Sequence, residues 1–115
     1  MAGTLNFTIE QGATFELVMT WEIDAAPVDL TGWSARLQAR VDFQSTNTIL
    51  SLTTDPGDGI TLGGAAGTIT LDQNDAQTTD LPVGSFVYDL ELISGDNIVT
   101  RLLQGELIVS AEVTR

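Results

Sequence analysis

Carboxylates are the residues with the widest chemical range in this sequence, and two groups of them are closely spaced. One is the turn Asp55-Pro56-Gly57-Asp58-Gly59, and the other consists of Asp72, Asp75 and Asp80. Carboxylates separated by so few residues can bind a hard cation such as Ca²⁺. The calcium-loop template also requires ligands at alternate positions and a bidentate Glu at the end of the loop, which both groups lack. We interpret them as turn and capping residues, and predict no metal site and no cofactor.

Pairs of carboxylates could also hydrolyse glycosidic bonds, and the chain offers 16 Asp and Glu residues. Most of them occupy expected turns or outward strand positions, where nothing shields a general acid from water. The chain contains no Cys, His or Lys, which excludes a thiolate nucleophile, a Ser-His-Asp relay, a Cys/His zinc site and a Schiff base. We therefore predict a non-enzymatic protein without catalytic residues.

The charge and hydropathy of the chain narrow the function classes further. A net charge of −12 with four basic residues disfavours nucleic acid and anionic membrane surfaces as partners. We see no apolar run long enough to span a membrane and no signal peptide at the N-terminus. The hydrophobic share of 43% is too high for a disordered acidic tail, so we expect residues 1–115 to form one folded domain.

The arginines are informative because they are so few. Arg36 and Arg40 alternate with apolar residues, so they should lie about 13 Å apart on the outward face of one strand. If that strand neighbours residues 85–93, Asp89 and Glu91 could form cross-strand ion pairs with them. The alternative is that another subunit covers this face, where arginine is a typical interface residue.

Hydrophobic residues recur with a period of two along most of the chain, which predicts strands with one buried face. Two stretches show this most clearly, 13–23 and 33–43. Their expected inward residues are Phe15, Leu17, Met19, Trp21 and Ile23 in the first and Trp33, Ala35, Leu37, Ala39, Val41 and Phe43 in the second. Only Val18 breaks the alternation.

Shorter strand candidates and turn signals complete the expected fold. The candidates are 5–10, 47–53, 59–62, 67–71, 85–93 and 98–110. Asp72 could cap a short helical turn over 73–77, which Pro82 would stop, and Tyr88 sits where a tyrosine corner would be. This spacing predicts an all-β, antiparallel Ig-like β-sandwich of seven to eight strands with one short helical turn near 73–79.

The last strand candidate, 98–110, is apolar on both faces. Either both faces are covered, or a β-bulge changes the phase of the strand, and Gly105 is the obvious bulge position. Without a phase change, the additional apolar surface would favour self-association or docking onto a larger assembly. Together with the outward residues of the arginine-bearing face, this gives the protein-interface candidates Arg36, Arg40, Val87, Ile93, Ile98, Leu102 and Ile108.

Several phrases of the sequence resemble small structural proteins of tailed bacteriophages. They are Ile9-Glu10-Gln11-Gly12-Ala13-Thr14-Phe15, Val28-Asp29-Leu30-Thr31-Gly32-Trp33-Ser34-Ala35-Arg36, Gly67-Thr68-Ile69-Thr70-Leu71, Val87-Tyr88-Asp89-Leu90-Glu91-Leu92 and Val99-Thr100-Arg101-Leu102-Leu103-Gln104-Gly105. The chain is similar to the Ig-like N-terminal domain of upper baseplate proteins from phages of Gram-positive bacteria. In those proteins a long receptor-binding or adaptor region follows, whereas this sequence ends at Arg115, so we expect a stand-alone connector or decoration.

The resemblance implies a virion structural protein that is synthesised in the host cytoplasm and is multi-copy or homo-oligomeric. It would bind other virion proteins in the tail, baseplate or fibre attachment region. One alternative is a capsid decoration protein on the outer head. Another is a carbohydrate-binding or calcium-dependent adhesion module, although the aromatic platform such modules use is missing if Trp21, Trp33, Phe86 and Tyr88 all point inward as predicted.

Overall fold

Two predominantly antiparallel β-sheets pack face to face in the computed structural model of this chain, which describes residues 3–113. The strands are β1 (Gly3–Thr4), β2 (Phe7–Glu10), β3 (Phe15–Thr20), β4 (Glu22–Ile23), β5 (Ala26–Pro27), β6 (Ser34–Arg40), β7 (Leu50–Thr53), β8 (Ile60–Leu62), β9 (Thr68–Gln73), β10 (Gly84–Ile93) and β11 (Val99–Ser110). A 3₁₀ turn covers Gly64–Ala66, and helix α1 covers Asp75–Thr79. The all-β sandwich is confirmed.

The strand order is that of an Ig-like domain. The larger sheet runs β1-β11-β10-β6-β7, with β2 pairing in parallel beside β11, and the smaller sheet runs β3-β9-β8. If β1 and β2 count as one interrupted strand, the two sheets contain eight strands, and β4 and β5 form a separate small hairpin. The long strands β10, β11 and β6 therefore occupy the centre of the larger sheet, where their outward side chains form one continuous surface.

The hydrophobic core lies between the two sheets and follows the predicted alternation. In β6 and β10 every second residue is buried, while the intervening residues face outward. The larger sheet contributes Ala35, Leu37, Ala39, Phe86, Tyr88, Leu90 and Leu92, and the smaller sheet contributes Ile60, Ile69 and Leu71. Burying these side chains is the main favourable contribution to folding, at about 25 cal/mol for each Å² removed from water.

Three residues predicted to be inward are exposed, because their strands end earlier than the alternation suggests. Strand β6 stops at Arg40, and Asp42 then forms a turn in which its side chain and carbonyl accept hydrogen bonds from the Ser45 amide. Val41 and Phe43 thus lie in a loop, and Phe43 is 84% exposed. Ile23 is exposed in the β4–β5 hairpin for the same reason.

Helix α1 has a different N-cap from the predicted one. Asn74, not Asp72, caps it, in a reciprocal capping box with Gln77. The hydroxyl of buried Thr78 accepts a hydrogen bond from the Gly12 amide and donates to the carbonyl of Ala13 at 2.9 Å. The short helix is thereby fixed to the turn that enters β3.

A β-bulge resolves the two apolar faces of β11. The register shifts between Leu90, which faces Leu103, and Glu91, which faces Arg101, so Leu102 is the additional residue. Of the two alternatives, the structure shows the phase change, but at Leu102 and not at Gly105. Gly105 pairs in register with Tyr88.

Candidate interaction surface

The outward side chains of β6, β10 and β11 form one surface, called the outer face below. Cross-strand neighbours divide it into rows. From one end the rows are Ser34–Ile93–Val99, Arg36–Glu91–Arg101, Gln38–Asp89–Gln104, Arg40–Val87–Glu106 and, on β10 and β11 alone, Ser85–Ile108. Charged and amide side chains occupy the centre, and apolar side chains lie towards both ends.

Two cross-strand ion pairs lie in the middle of the outer face. Arg36 Nε is 2.7 Å from Glu91 Oε1, and Arg101 Nε is 3.4 Å from Asp89 Oδ2. Such exposed pairs contribute a few tenths of a kcal/mol each, so they order the face more than they stabilise the fold. The sequence predicted acidic partners for Arg36 and Arg40 but missed Arg101, because the bulge that turns Arg101 outward was not located.

Arg40 is held by the loop that follows β6 instead of by a carboxylate. Its guanidinium donates to the Ser45 carbonyl at 3.0 Å and to Gln38 Oε1 at 2.8 Å. The same loop places Phe43 over a shallow groove on the outer face that Val87 also lines. Glu106, at the other end of the Arg40 row, is exposed. Within residues 3–113, neither Arg40 nor Glu106 has an ionic partner.

The outer face differs in charge from the rest of the molecule. It carries Arg36, Arg40 and Arg101, which are all the arginines among residues 3–113. It also carries three carboxylates, on Asp89, Glu91 and Glu106. Since the chain has 16 acidic residues and a net charge of −12, the other thirteen give the remaining surfaces a strong negative charge. The outer face is locally balanced.

The interface candidates from the sequence do not all lie together. Arg36, Arg40, Val87, Ile93 and Ile108 share the outer face, where Val87 and Ile93 are half-buried. Ile98 precedes β11 in the hairpin loop and is 65% exposed. Leu102 lies at the bulge and packs against the hydrophobic core.

The Asp58 carboxylate and the Asp29–Gly32 part of the 28–36 phrase have local structural partners. Asp58 accepts a hydrogen bond from the Thr53 hydroxyl in its turn. Asp29 Oδ1 accepts from the Thr31 hydroxyl at 2.6 Å and from the Thr31 amide at 3.0 Å, and these bonds lower the pKa of Asp29. Leu30, between them, is buried in the core. The Asp-Leu-Thr-Gly phrase thus fixes a turn before β6.

The described part of the chain holds neither a grouped set of metal-ligating side chains nor a membrane-spanning helix. Among residues 3–113, no three His, Cys, Asp or Glu side chains are grouped so that they could hold a metal ion. The helices in that part of the chain are too short and too polar to cross a membrane.

The aromatic side chains predicted to point inward do so to different degrees. Phe86 and Tyr88 are buried, whereas Trp21 and Trp33 are half-buried and contact each other edge to face at 5.6 Å. The hydroxyl of Tyr88 donates to the Leu5 carbonyl, not to the segment just upstream of β10 as a tyrosine corner would. Burial raises the pKa of Tyr88 to about 12.

We expect Tyr88 to produce an isolated alkaline transition. The pKa of Tyr88 is higher in the folded state, about 12, than in the unfolded state, near 10. The buried neutral hydroxyl therefore contributes its full stabilisation below pH 10, and this contribution is lost as the pH rises towards about 12. The chain has one Tyr and no Lys, Cys or His, so no other side chain titrates in this window. The free energy of unfolding, from urea titrations at pH 9 to 12, should fall by roughly 1–2 kcal/mol, allowing for solvent screening.

The Tyr88→Phe variant is the control for this transition, because it removes the only titrating group. Its stability should be lower at pH 8 but flat between pH 10 and 12. A wild-type curve that is equally flat, or a variant curve that still slopes, would contradict the assignment.

Comparisons with known proteins find similarity of fold only. No protein-family model and no curated protein matches the chain. Among solved structures it is similar to the extracellular domain of the voltage-gated sodium channel beta4 subunit, which is described as forming parallel homodimers. The two sequences are 13% identical, the match covers 98% of this chain and 96% of that chain, and the TM-score is 0.43. A sodium channel beta subunit studied for multimeric cell-adhesive interactions gives 10% identity, 96% and 93% coverage and a TM-score of 0.46.

Proposed function

We propose that this chain is a non-enzymatic structural subunit of a tailed-bacteriophage virion that binds other virion proteins. It would be synthesised in the host cytoplasm and act in many copies in the tail, baseplate or fibre attachment region. The phrases that resemble phage structural proteins support the setting. The observation that carries the binding role is the presence of every described arginine on the outer face.

The outer face has the composition of a surface that meets another protein. Arginine is enriched at protein interfaces, where its planar guanidinium forms several hydrogen bonds at once. The thirteen carboxylates elsewhere repel other acidic proteins, whereas the balanced outer face does not. A partner of similar charge therefore meets the least repulsion here.

Complementation of a phage that lacks this gene tests the proposal. The Arg36→Gln/Arg101→Gln variant changes the charge of the outer face by two units, and we expect about a tenfold lower copy number in purified particles, measured by mass spectrometry. The matched control is Thr20→Glu/Thr61→Glu, which makes the same change in charge on exposed positions of the smaller sheet. It should be incorporated like the wild type.

Two outcomes would overturn this role: wild-type protein absent from the particles, or equal incorporation of all three forms. Cryo-electron microscopy of the same particles distinguishes the possible positions. Additional density at the tail, baseplate or fibre attachment region supports the proposal, whereas density on the outer head supports capsid decoration instead.

A further inference from the structure

We infer that strand β3 pairs antiparallel with β3 of a second copy of this chain, across a two-fold axis beside Val18. The inference goes beyond the proposed function, because it concerns the edge of the smaller sheet and leaves the outer face free for other virion proteins. Three features carry it: the unpaired backbone groups of β3, the exposed side chain of Val18, and a strand sequence that is complementary to itself.

One side of β3 has no strand beside it in the described part of the chain. Strand β3 is an edge of the smaller sheet, and its other side pairs with β9 in a ladder without a register shift. Just after β3, the amide of Trp21 donates to the carbonyl of Gly67 on the β9 side. Backbone groups alternate between the two sides of a strand, so the odd-numbered residues of β3 bond to β9. The residues whose amides and carbonyls point to the free edge are Glu16, Val18 and Thr20.

Strand β3 lacks the features that usually keep an edge strand from pairing. Natural edge strands are commonly very short, or carry proline, lysine or a β-bulge. Strand β3 has six residues, whereas the edge strands β2, β7 and β8 have four, four and three. Its sequence contains no proline or lysine, its ladder has no bulge, and none of its residues has a positive φ. Its backbone is therefore regular enough to accept another strand.

Apolar side chains on both faces of β3 would be covered by an added strand. Val18 is the one residue that breaks the alternation of this strand, and it is 55% exposed beside Thr70 of β9. On the opposite face Phe15, Leu17 and Met19 pack against the core but remain partly exposed. The inward residues of the neighbouring β9 are buried. A strand beside β3 would thus complete the cover of the core as well as bury Val18.

A second copy fits this edge because β3 is complementary to itself. With the axis at Val18, this residue meets its own counterpart, Glu16 meets Thr20, and Leu17 meets Met19. All the free amides and carbonyls are then paired, because the three edge-directed residues pair only with one another. Moving the axis by one residue in either direction would place one of them beyond the end of the partner's β3. A symmetric contact of this kind uses each interaction twice, as closed dimers do.

The register also keeps the charges of the paired strands apart. Glu16 is the only charged residue of β3, and it faces Thr20. The two Glu16 residues lie about 14 Å apart across the axis, which exceeds the screening length of about 8 Å at physiological ionic strength. The opposing term is the net charge of −12 on each copy, to which Glu22 just beyond β3 contributes. Because salt screens this repulsion, the pairing should tighten as the salt concentration rises.

Single cysteines test the register, since the chain has no cysteine of its own. Val18→Cys places two Cα atoms about 5.5 Å apart across the axis, within the range that a disulfide bridges. Mild oxidation should convert this variant to a covalent dimer at least about tenfold faster than two controls. The controls are Glu16→Cys and Thr61→Cys, which are exposed positions of the same sheet whose counterparts would lie far apart. Non-reducing gel electrophoresis measures the rates.

Sedimentation equilibrium measures the pairing without a cross-link. The wild type should form a dimer whose dissociation constant falls as NaCl is raised from about 50 to about 500 mM. Val18→Asp should raise the dissociation constant by about tenfold or more, because it places two carboxylates opposite each other on the axis. Thr61→Asp makes the same change in charge on β8 and should dimerise like the wild type. Circular dichroism and melting temperatures establish that both variants are folded.

Any of four results overturns the inference. They are a monomeric wild type at about 100 µM, a dissociation constant that rises with salt, a folded Val18→Asp variant that dimerises as well as Thr61→Asp, and a Val18→Cys variant that oxidises no faster than its controls. Virion binding through the outer face does not require this pairing. A monomer that is incorporated into particles would overturn the pairing alone, and a dimer that is absent from particles would overturn the proposed function alone.

Discussion

Leu107→Asp should abolish folding, whereas Ile108→Asp, one residue later in β11, should leave the domain folded. Leu107 is fully buried between the sheets, and Ile108 is 38% exposed on the outer face. A buried carboxylate without a partner costs several kcal/mol, and the lost leucine packing adds about 2–5 kcal/mol. The sum reaches the whole stability of a typical domain, about 5–15 kcal/mol. At position 108 the same carboxylate remains hydrated.

Circular dichroism and one-dimensional proton NMR of the two purified variants check this prediction. Leu107→Asp should lack dispersed resonances and a cooperative melting transition. Ile108→Asp should retain both and should lose less than about 1 kcal/mol of stability. If the two variants behave alike, the assignment of the two faces of β11 is wrong.

The alternation of residues was sufficient to predict which faces are buried. It placed Ala35, Leu37 and Ala39 inside in β6 and Phe86 and Tyr88 inside in β10, as the structure has them. The period of two is a direct consequence of strand geometry, so the pattern needs no knowledge of the neighbouring strand. This is why the fold class followed from the sequence.

Features that depend on two distant segments were not predictable in the same way. The end of β6 at Arg40 depends on the Asp42 turn, and the bulge at Leu102 depends on the pairing of β11 with β10. The ion pair between Arg101 and Asp89 follows from that bulge. The exposed position of Phe43 follows from the early end of β6. The ion pair of Arg101 and the exposure of Phe43 were therefore visible only once the strand ends and the register were known.

Gly105→Ala should destabilise the domain by about 2–4 kcal/mol. The direction is unusual, because glycine weakens most strands and its replacement by alanine would normally stabilise them. Gly105 does not have a positive φ, so the reason is space, not backbone strain. A Cβ atom here would overlap the carbonyl oxygen of Leu5 and lie 2.8 Å from Asn6 Oδ1. That carbonyl accepts the hydrogen bond of the buried Tyr88 hydroxyl. The methyl group would push the N-terminal segment away from β11 and break this bond.

Gly95→Ala is the matched control, because its Cβ atom would meet nothing closer than the Gly32 carbonyl at 3.7 Å. Urea denaturation should show a change of less than about 0.5 kcal/mol in the free energy of unfolding of this control.

Tyr88→Phe then tests the mechanism. If the alanine breaks the bond to Leu5, Tyr88→Phe should cost about 1–2 kcal/mol in the wild type but much less in the Gly105→Ala background. Equal costs in the two backgrounds would mean that the N-terminal segment stays in place and that the methyl group acts elsewhere. Non-additive costs would establish Gly105 as the residue that lets the segment between β1 and β2 approach β11 closely and reach the only tyrosine of the chain.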